Sequence, residues 1–483
     1  VLGARAWQVE HYVSAVPFWD QWNGEAMDLF RPYLRGTLGW GDFFRPHNEH
    51  RIVLTRLLSL GLFIANGRLW DPKLEMLVNS AGVAALAVAL QTLLARSFPP
   101  KSQAWISAVQ VCLWASPYGW ENSLAGFQSQ VYLMLALSVF AVWMLATTPV
   151  FGSRWWLGLA AAALACLSMG SGFLAASAVV VVRTALLLRP SWISSAVDTS
   201  RKTGLWTLGT CAAIAVLGAA LVQPVAAHEV LKAENPYRFF KTLAHGLSWP
   251  LPRIPIAFLV FYLPAFGVCV RAARGVRPLS PVSVSAWALV AWTVLQALAI
   301  AYGRGAHGHM PTSRYQDLLA IGCAANGLLL LDNLEFASRR LLRAWTALFF
   351  VGIAWATVHE LRHLPAHKVE SEEQLARCSL YLATGDIDVF TQAPSPRAVP
   401  YPDPLKLARF LDDPTVRSFL PFAPENASRS GRLSPLSAFV IRHSTWLAAA
   451  GTIVWLASLR FLLQQNAASR LSPETSQARR ASR

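Results

Sequence analysis

The chain has 483 residues, of which 54% are hydrophobic and only 14% are charged. Soluble globular domains carry about 25% charged residues, so much of this protein's surface does not face water. The formal net charge of +16 does not mark a nucleic-acid partner. Lys and Arg fall in short clusters between apolar runs and line no basic groove interleaved with stacking aromatics.

Residues 1–74 are polar and aromatic, with one apolar stretch at 52–63 that Arg51, Arg56 and Arg68 interrupt or bound. An arginine at the middle of a span costs about 2.5–3.5 kcal/mol on insertion. Residues 50–67 are therefore expected to form an amphipathic helix in the membrane interface. A short extra span there is the alternative, and would place 1–49 in the cytoplasm. Apolar runs near the roughly 20 residues that cross a bilayer follow at 75–95, 103–118, 128–147, 155–169, 171–188, 204–223, 254–270, 283–302, 315–331, 344–359 and 446–464. They predict an all-α membrane protein with about eleven transmembrane helices. Between the fourth and fifth runs, Met169-Gly170-Ser171-Gly172 predicts a tight turn. The segment 360–445 is a hydrophilic, Pro-rich insertion, too short for a large core of its own. Four stretches result: 1–74, a loop with interfacial helices; 75–359, the multi-helix membrane domain; 360–445, a cap; and 446–483, a last span with a basic tail.

Loop charge orients these runs. One set of loops holds Arg96 and Lys101, Arg154, Arg183 to Lys202, Arg271 to Arg277 and Arg339 to Arg343, and the tail adds Arg470, Arg479, Arg480 and Arg483. These alternate with 118–127, 170–172, 224–253, 303–314 and 360–445, and the two shortest of that second set hold no Lys or Arg. The first set is expected in the cytoplasm and the second outside. The run 75–95 then travels inward, 1–74 is external, and a further span is expected before Val1. The expected location is a bacterial inner membrane. Five of the six cysteines lie in apolar runs, Cys378 stands alone in a polar segment, and no CxxC spacing occurs. Neither a zinc site nor a disulfide framework is indicated.

Chemistry is sought on the outward loops. Asp20 stands in Phe18-Trp19-Asp20-Gln21-Trp22, with Glu25 and Asp28 following. A carboxylate among tryptophans is expected to be partly desolvated, which raises its basicity, as suits a general base. In Arg45-Pro46-His47-Asn48-Glu49-His50-Arg51, the two histidines could share a helix face. That cluster is read as hydrogen-bonding substrate, with a structural helix start capped near Asn48 as the alternative. The order is not that of a zincin and no third ligand is placed by spacing, so no metal ligand is assigned. Glu121, Asn122 and Gln128 top another helix. Arg304 and Arg314, with Tyr315, face outward where the charge rule does not ask for them. Such arginines suit a phosphate, held bidentately; snorkelling to lipid headgroups is the alternative. Lys232, Arg238, Lys241 and His245 are further candidates.

The layout resembles the GT-C superfamily of membrane glycosyltransferases, which use sugars carried on polyprenyl phosphates. The resemblance rests on Asp20 in the first external loop, on the helix pair around Leu167-Ser168-Met169-Gly170-Ser171-Gly172, and on Arg314-Tyr315 opening a late helix. No Asp-x-Asp or Asp-Asp pair stands in the loop. The resemblance implies Asp20 as catalytic residue, a polyprenyl-phosphate sugar donor, and a glycan, lipid or protein acceptor. It leaves a divalent metal open. The expected function is therefore inverting sugar transfer, with Arg304 and Arg314 holding the donor phosphate. A transporter or flippase of lipid-linked sugars, or a glycan polymerase or ligase, is the rival. A transporter needs polar groups at the bilayer midplane, where these runs are nearly free of charge.

Overall fold

The computed structural model describes residues 1–194, 201–334 and 339–471, with side chains to 465. Arg479, Arg480 and Arg483 of the charge argument lie outside that description, as does the side chain of Arg470. Among the described residues the chain is helical, without strands; two isolated bridges pair His47 with His50 and Ile193 with Leu279.

The principal helices are α1 (Leu2–Tyr12), α2 (Val53–Ala65), α3 (Pro72–Ala95), α4 (Pro100–Ala115), α5 (Ser129–Thr147), α6 (Ser153–Cys166), α7 (Leu174–Leu188), α8 (Arg201–Ala220), α9 (Leu263–Ala273), α10 (Pro281–Gly303), α11 (Ser313–Asp332), α12 (Arg339–Leu361), α13 (Leu364–Thr384) and α14 (Ser444–Leu471). Every apolar run has its helix. Seven helical units among the described residues are long and apolar enough to cross a membrane, and an eighth follows if the bent pair Pro255–Phe261 and Leu263–Ala273 is one span. Three of the eleven expected spans fall short of that measure for two reasons. Helices α4 and α6 have 16 and 14 residues, about 24 and 21 Å at 1.5 Å per residue, against a hydrocarbon core of about 30 Å. Helix α11 has the length, but Gln316, Asp317, Asn326 and Asp332 dilute its apolar character.

Helix α10 is the hub, packed on α11, α5 and α7, and 67% of its apolar stretch is buried, against none for α14. Helix α14 packs on α1 and α4 and leaves apolar Trp446, Ile453 and Val454 exposed, as suits a helix facing lipid. Small residues set the close approaches in this bundle. A Cβ on Gly322 would come within 2.6 Å of the Tyr262 hydroxyl and 2.7 Å of Thr293, and one on Gly172 within 1.9 Å of the Ala165 carbonyl oxygen. The turn predicted at 169–172 is thus a real break between α6 and α7. Helix α1 also belongs to the bundle. It packs on α14 and α3, and buried Arg5 donates to the Trp114 carbonyl and the Tyr132 hydroxyl, both at 2.7 Å.

A second core lies at one end of the bundle. Trp22, Phe30, Phe63 and Trp70 come from the first segment; Tyr381, Phe390, Phe410 and Phe419 come from the late one. Phe30 stacks on Phe63 at 4.2 Å, and Phe419 meets both edge-on. Arg31 bonds Asp413 at 2.6 Å, and Asn23 donates to the Tyr401 hydroxyl at 2.8 Å. Much of 13–74 and 360–445, which the sequence separates, therefore folds into one cap, while α1 sits with the bundle. Helix α2 joins this cap to the bundle, where Ser129 at the head of α5 donates to Thr55 at 3.0 Å. Helix α2 exposes Leu57 and Ile64 and buries Arg56, which bonds the carbonyls of Asp42 and Phe43.

Candidate functional site

The site begins with a backbone kink. Trp19 is left-handed, with φ of 51°, an uncommon conformation for a non-glycine residue. It is held there from both sides. Its N–H donates to the Pro400 carbonyl at 2.8 Å, and the Trp22 indole donates to the Pro17 carbonyl at 2.8 Å. Gln21 accepts from the Phe18 N–H at 3.1 Å. The kink presents Asp20 at the start of a helical stretch that continues into a π-helix, Trp22–Phe30. Strained residues of this kind persist where surrounding structure over-determines them.

The Asp20 carboxylate is half-exposed, and its Oδ1 lies 3.7 Å from His47 Nε2. That separation is too long for a hydrogen bond. His47 Nε2 is itself buried and makes no hydrogen bond among the described residues. The residue is 6% exposed, packed edge-on to Phe127 at 5.0 Å. Only glycine fits beside it, because a Cβ on Gly24 would lie 2.7 Å from Phe127. Burial of the Asp20 carboxyl raises its pKa, but His47, Arg314 and His50 outweigh that and hold it below the ordinary carboxylate value. The expected rise in basicity from neighbouring tryptophans is thus corrected, because His47 and Arg314 decide the sign.

His47 to His50 form a two-residue turn, not the helix start that was the alternative reading. The two residues exchange backbone hydrogen bonds at 2.8 and 3.0 Å, and Asn48 is left-handed with φ of 49°. Pro46 brings no N–H, and the next helix begins only at Val53. Glu49 accepts from His228 at 2.6 Å and from Arg304 at 2.9 Å. Its partial burial is outweighed by its own backbone N–H, His50, His228 and Arg304, and its pKa falls to about 2. Burial keeps His50 neutral, with a pKa down to about 4. Its Nδ1 accepts from the Gly170 N–H at 3.1 Å, which explains a glycine in the α6–α7 turn: a Cβ there would meet Nδ1 at 2.7 Å.

Glu121 caps α11, accepting from the Ser313 hydroxyl at 2.7 Å and the Arg314 N–H at 3.1 Å, the orphan donors of a helix start. Asn122 donates to the Arg314 carbonyl and to Asp317, both at 2.8 Å. Both residues thereby fix the helix end that carries Arg314 and Tyr315. The Arg314 guanidinium stays half-exposed, 3.6 Å from Glu121. Arg304 is committed to Glu49 and to the Tyr315 hydroxyl, at 3.2 Å.

These groups open on one cleft of about 180 Å³ between the cap and the bundle. It brings together Asp20, Glu121, Gln128 and Arg314 from the expected set. The cluster of Glu49, His50, Arg304 and Tyr315 adjoins it, with His50 close enough to influence Asp20. Three expected residues point elsewhere. Glu25 is buried below the cleft, bonded to Gln21 at 2.9 Å and Ser59 at 2.8 Å. Asp28 lies half-exposed 3.9 Å from Arg56, and Arg51 bonds the Phe44 carbonyl. Lys232, Arg238 and His245 are engaged within their own loop, by Glu229, Glu234 and the Pro252 carbonyl, and Lys241 lies against Tyr237 and Gly308. No local pattern marked the cap residues that complete the cleft, His367, Glu370 and Arg397, nor His228 as the partner of Glu49. Among the described residues no group of three or more His, Cys, Asp or Glu is arranged to hold a metal ion. No protein family, curated protein or solved structure matches the chain.

Proposed function

We propose that this protein is a membrane glycosyltransferase that moves a sugar from a polyprenyl-phosphate donor to a hydroxyl of a glycan, lipid or protein acceptor. In this reading α4, α6 and α11 complete about eleven spans, and the cleft faces outward from a bacterial inner membrane. The observation that carries it is the gap between Asp20 and His47. Asp20 opens on the cleft, and 3.7 Å behind it a buried imidazole nitrogen of His47 has no hydrogen-bond partner among the described residues. The carboxylate is therefore backed by a polar group and free to meet a hydroxyl in front.

The chemistry follows from that arrangement. An acceptor hydroxyl in the cleft donates to Asp20, whose carboxylate His47 backs from the buried side. As its oxygen bonds the anomeric carbon, the bond from that carbon to the phosphate oxygen breaks, and the hydroxyl proton passes to Asp20. Attack opposite the leaving group inverts the anomeric centre. The low pKa of Asp20 keeps it ionised and makes it a weak base, adequate where the hydroxyl becomes acidic only as the new bond forms. Arg314 neutralises the departing phosphate, and Arg304, tied to Glu49, steadies Tyr315 beside it.

The test is sugar transfer from a radiolabelled polyprenyl-phosphate donor in reconstituted membranes. Asp20→Asn keeps the shape and is expected to slow transfer by about 10²–10⁴-fold while donor binding survives. Full activity in that variant would remove Asp20 as the base. Movement of a lipid-linked sugar across the bilayer without any transfer would replace the enzyme by a transporter.

A further inference from the structure

The late segment of the cap is pinned at its backbone and open at one side chain. Ala398 and Val399 are buried in the cap. The Arg397 carbonyl accepts from Gln374 at 2.7 Å, and the Pro400 carbonyl accepts from Trp19 at 2.8 Å. Between these anchors the Arg397 side chain is exposed and lines the cleft that holds Asp20 and Arg314. Two of the three carboxylates of that cleft already have protein partners, Asp20 facing His47 at 3.7 Å and Glu121 capping α11. Glu370 lies 3.9 Å from His367, which burial and Arg397 keep neutral with a pKa down to about 4. Among the described residues, the Arg397 guanidinium makes neither a hydrogen bond nor an ion pair within the chain.

We propose that Arg397 of the cap and Arg314 of the bundle together hold one phosphate group in the cleft. Two guanidinium forks match a tetrahedral dianion, or a diester with two free oxygens, better than a single carboxylate. Arg304, the other arginine expected to serve, already bonds Glu49. The phosphate belongs either to a lipid carrier or to a soluble ester. In both cases it bridges cap and bundle, so the cap is a wall of the substrate site. The inference rests on the proposed reading only in taking this cleft as the substrate site.

The full chain is placed in phosphatidylcholine nanodiscs, and binding is measured for two probes: glycerol 3-phosphate in solution, and a polyprenyl monophosphate incorporated in the disc. At least one probe should bind the wild-type chain, and whichever binds identifies the source. Arg397→Ala should weaken that probe roughly ten- to hundred-fold, as expected for a lost charged hydrogen bond, and Arg397→Lys should recover only part of it. The unfolding midpoint without probe should not change, because the side chain makes no contact that the fold needs. Equal binding by wild type and Arg397→Ala, or no binding of either probe to wild type, overturns the proposal. Intact phosphate binding in a chain that never transfers sugar would sustain it and remove the transferase reading alone.

Discussion

The bundle and the cap differ in the residues that bring their elements together. In the bundle the closest contacts are made by small side chains, as where Gly322 meets Thr293 and Gly172 meets Ala165. In the cap they are made by large rings, with Trp22, Phe30, Phe63, Trp70, Phe410 and Phe419 interlocked. Lipid is as apolar as leucine, so helices immersed in it gain little from burying bulk and much from backbones approaching closely. A small cap without a span of its own must bury as much apolar area per residue as it can, and aromatic side chains supply the most. The cleft lies at the seam. It inherits rigid helix ends from the bundle and a kinked, over-determined loop from the cap.

That contrast is broken most strongly at Trp22, which is fully buried between Trp70 and Phe410. Trp22→Ala should cost about 3–5 kcal/mol, confined to the cap. Limited proteolysis should cut within 1–70 and 385–430 while the bundle helices stay protected. Protection of both regions would mean that the aromatic core is not what holds the cap.

At the seam itself, pH is the probe. Burial pushes Glu25 up to about 7, against hydrogen bonds from Gln21 and Ser59 that pull it down. Its folded pKa thus lies above the unfolded value, so the fold favours the protonated form. The stabilisation is complete below about pH 4.5 and is lost as pH rises through about 7. The unfolding midpoint should fall over that window, by an amount on the order of a few kcal/mol in stability, and Glu25→Gln should flatten the fall. An unchanged slope in Glu25→Gln would place the titration elsewhere.

In the bundle a small increase in size should be felt instead. Gly172→Ala puts a methyl where the Ala165 carbonyl oxygen already is, and should cost about 1–3 kcal/mol, read as a lower melting temperature in detergent. The smallest effect is expected at the cap's rim. Asp403 accepts from the Lys406 N–H at 3.0 Å as the N-cap of Pro404–Asp412, and Asp403→Ala should cost about 1 kcal/mol. A larger loss there than at Trp22 would reverse the comparison.

The bundle was legible in the sequence because hydropathy is a local property. Each apolar run has its helix, and the turn at 169–172 shows in its glycines. Whether a run spans was less legible, because α4 and α6 are short and α11 is polar for its length. The cap was not legible. Phe30 and Phe419 meet across the whole chain with no period to connect them. At the site, Asp20, Gln128 and Arg314 could be picked as polar residues flanking helices. The kink at Trp19 could not, since a left-handed tryptophan has no sequence signature and depends on a carbonyl at Pro400. The sign of the Asp20 shift depended on His47 and Arg314, whose approach only the fold determines. Arg397 was hidden as one arginine in a Pro-rich stretch.

The bond between Asn23 and Tyr401 joins residues 378 positions apart. At ordinary translation speeds of about 5–20 residues per second, roughly 20–75 s pass between the appearance of the first partner and the second. Throughout that interval Trp22, Phe30 and Trp70 have emerged without the late rings, Phe410 and Phe419, that they pack against. Helices of the bundle can insert and pair meanwhile. The cleft loop is therefore made first and completed last, and a ribosome that stops short of the late segment leaves the earlier helices without an assembled cleft.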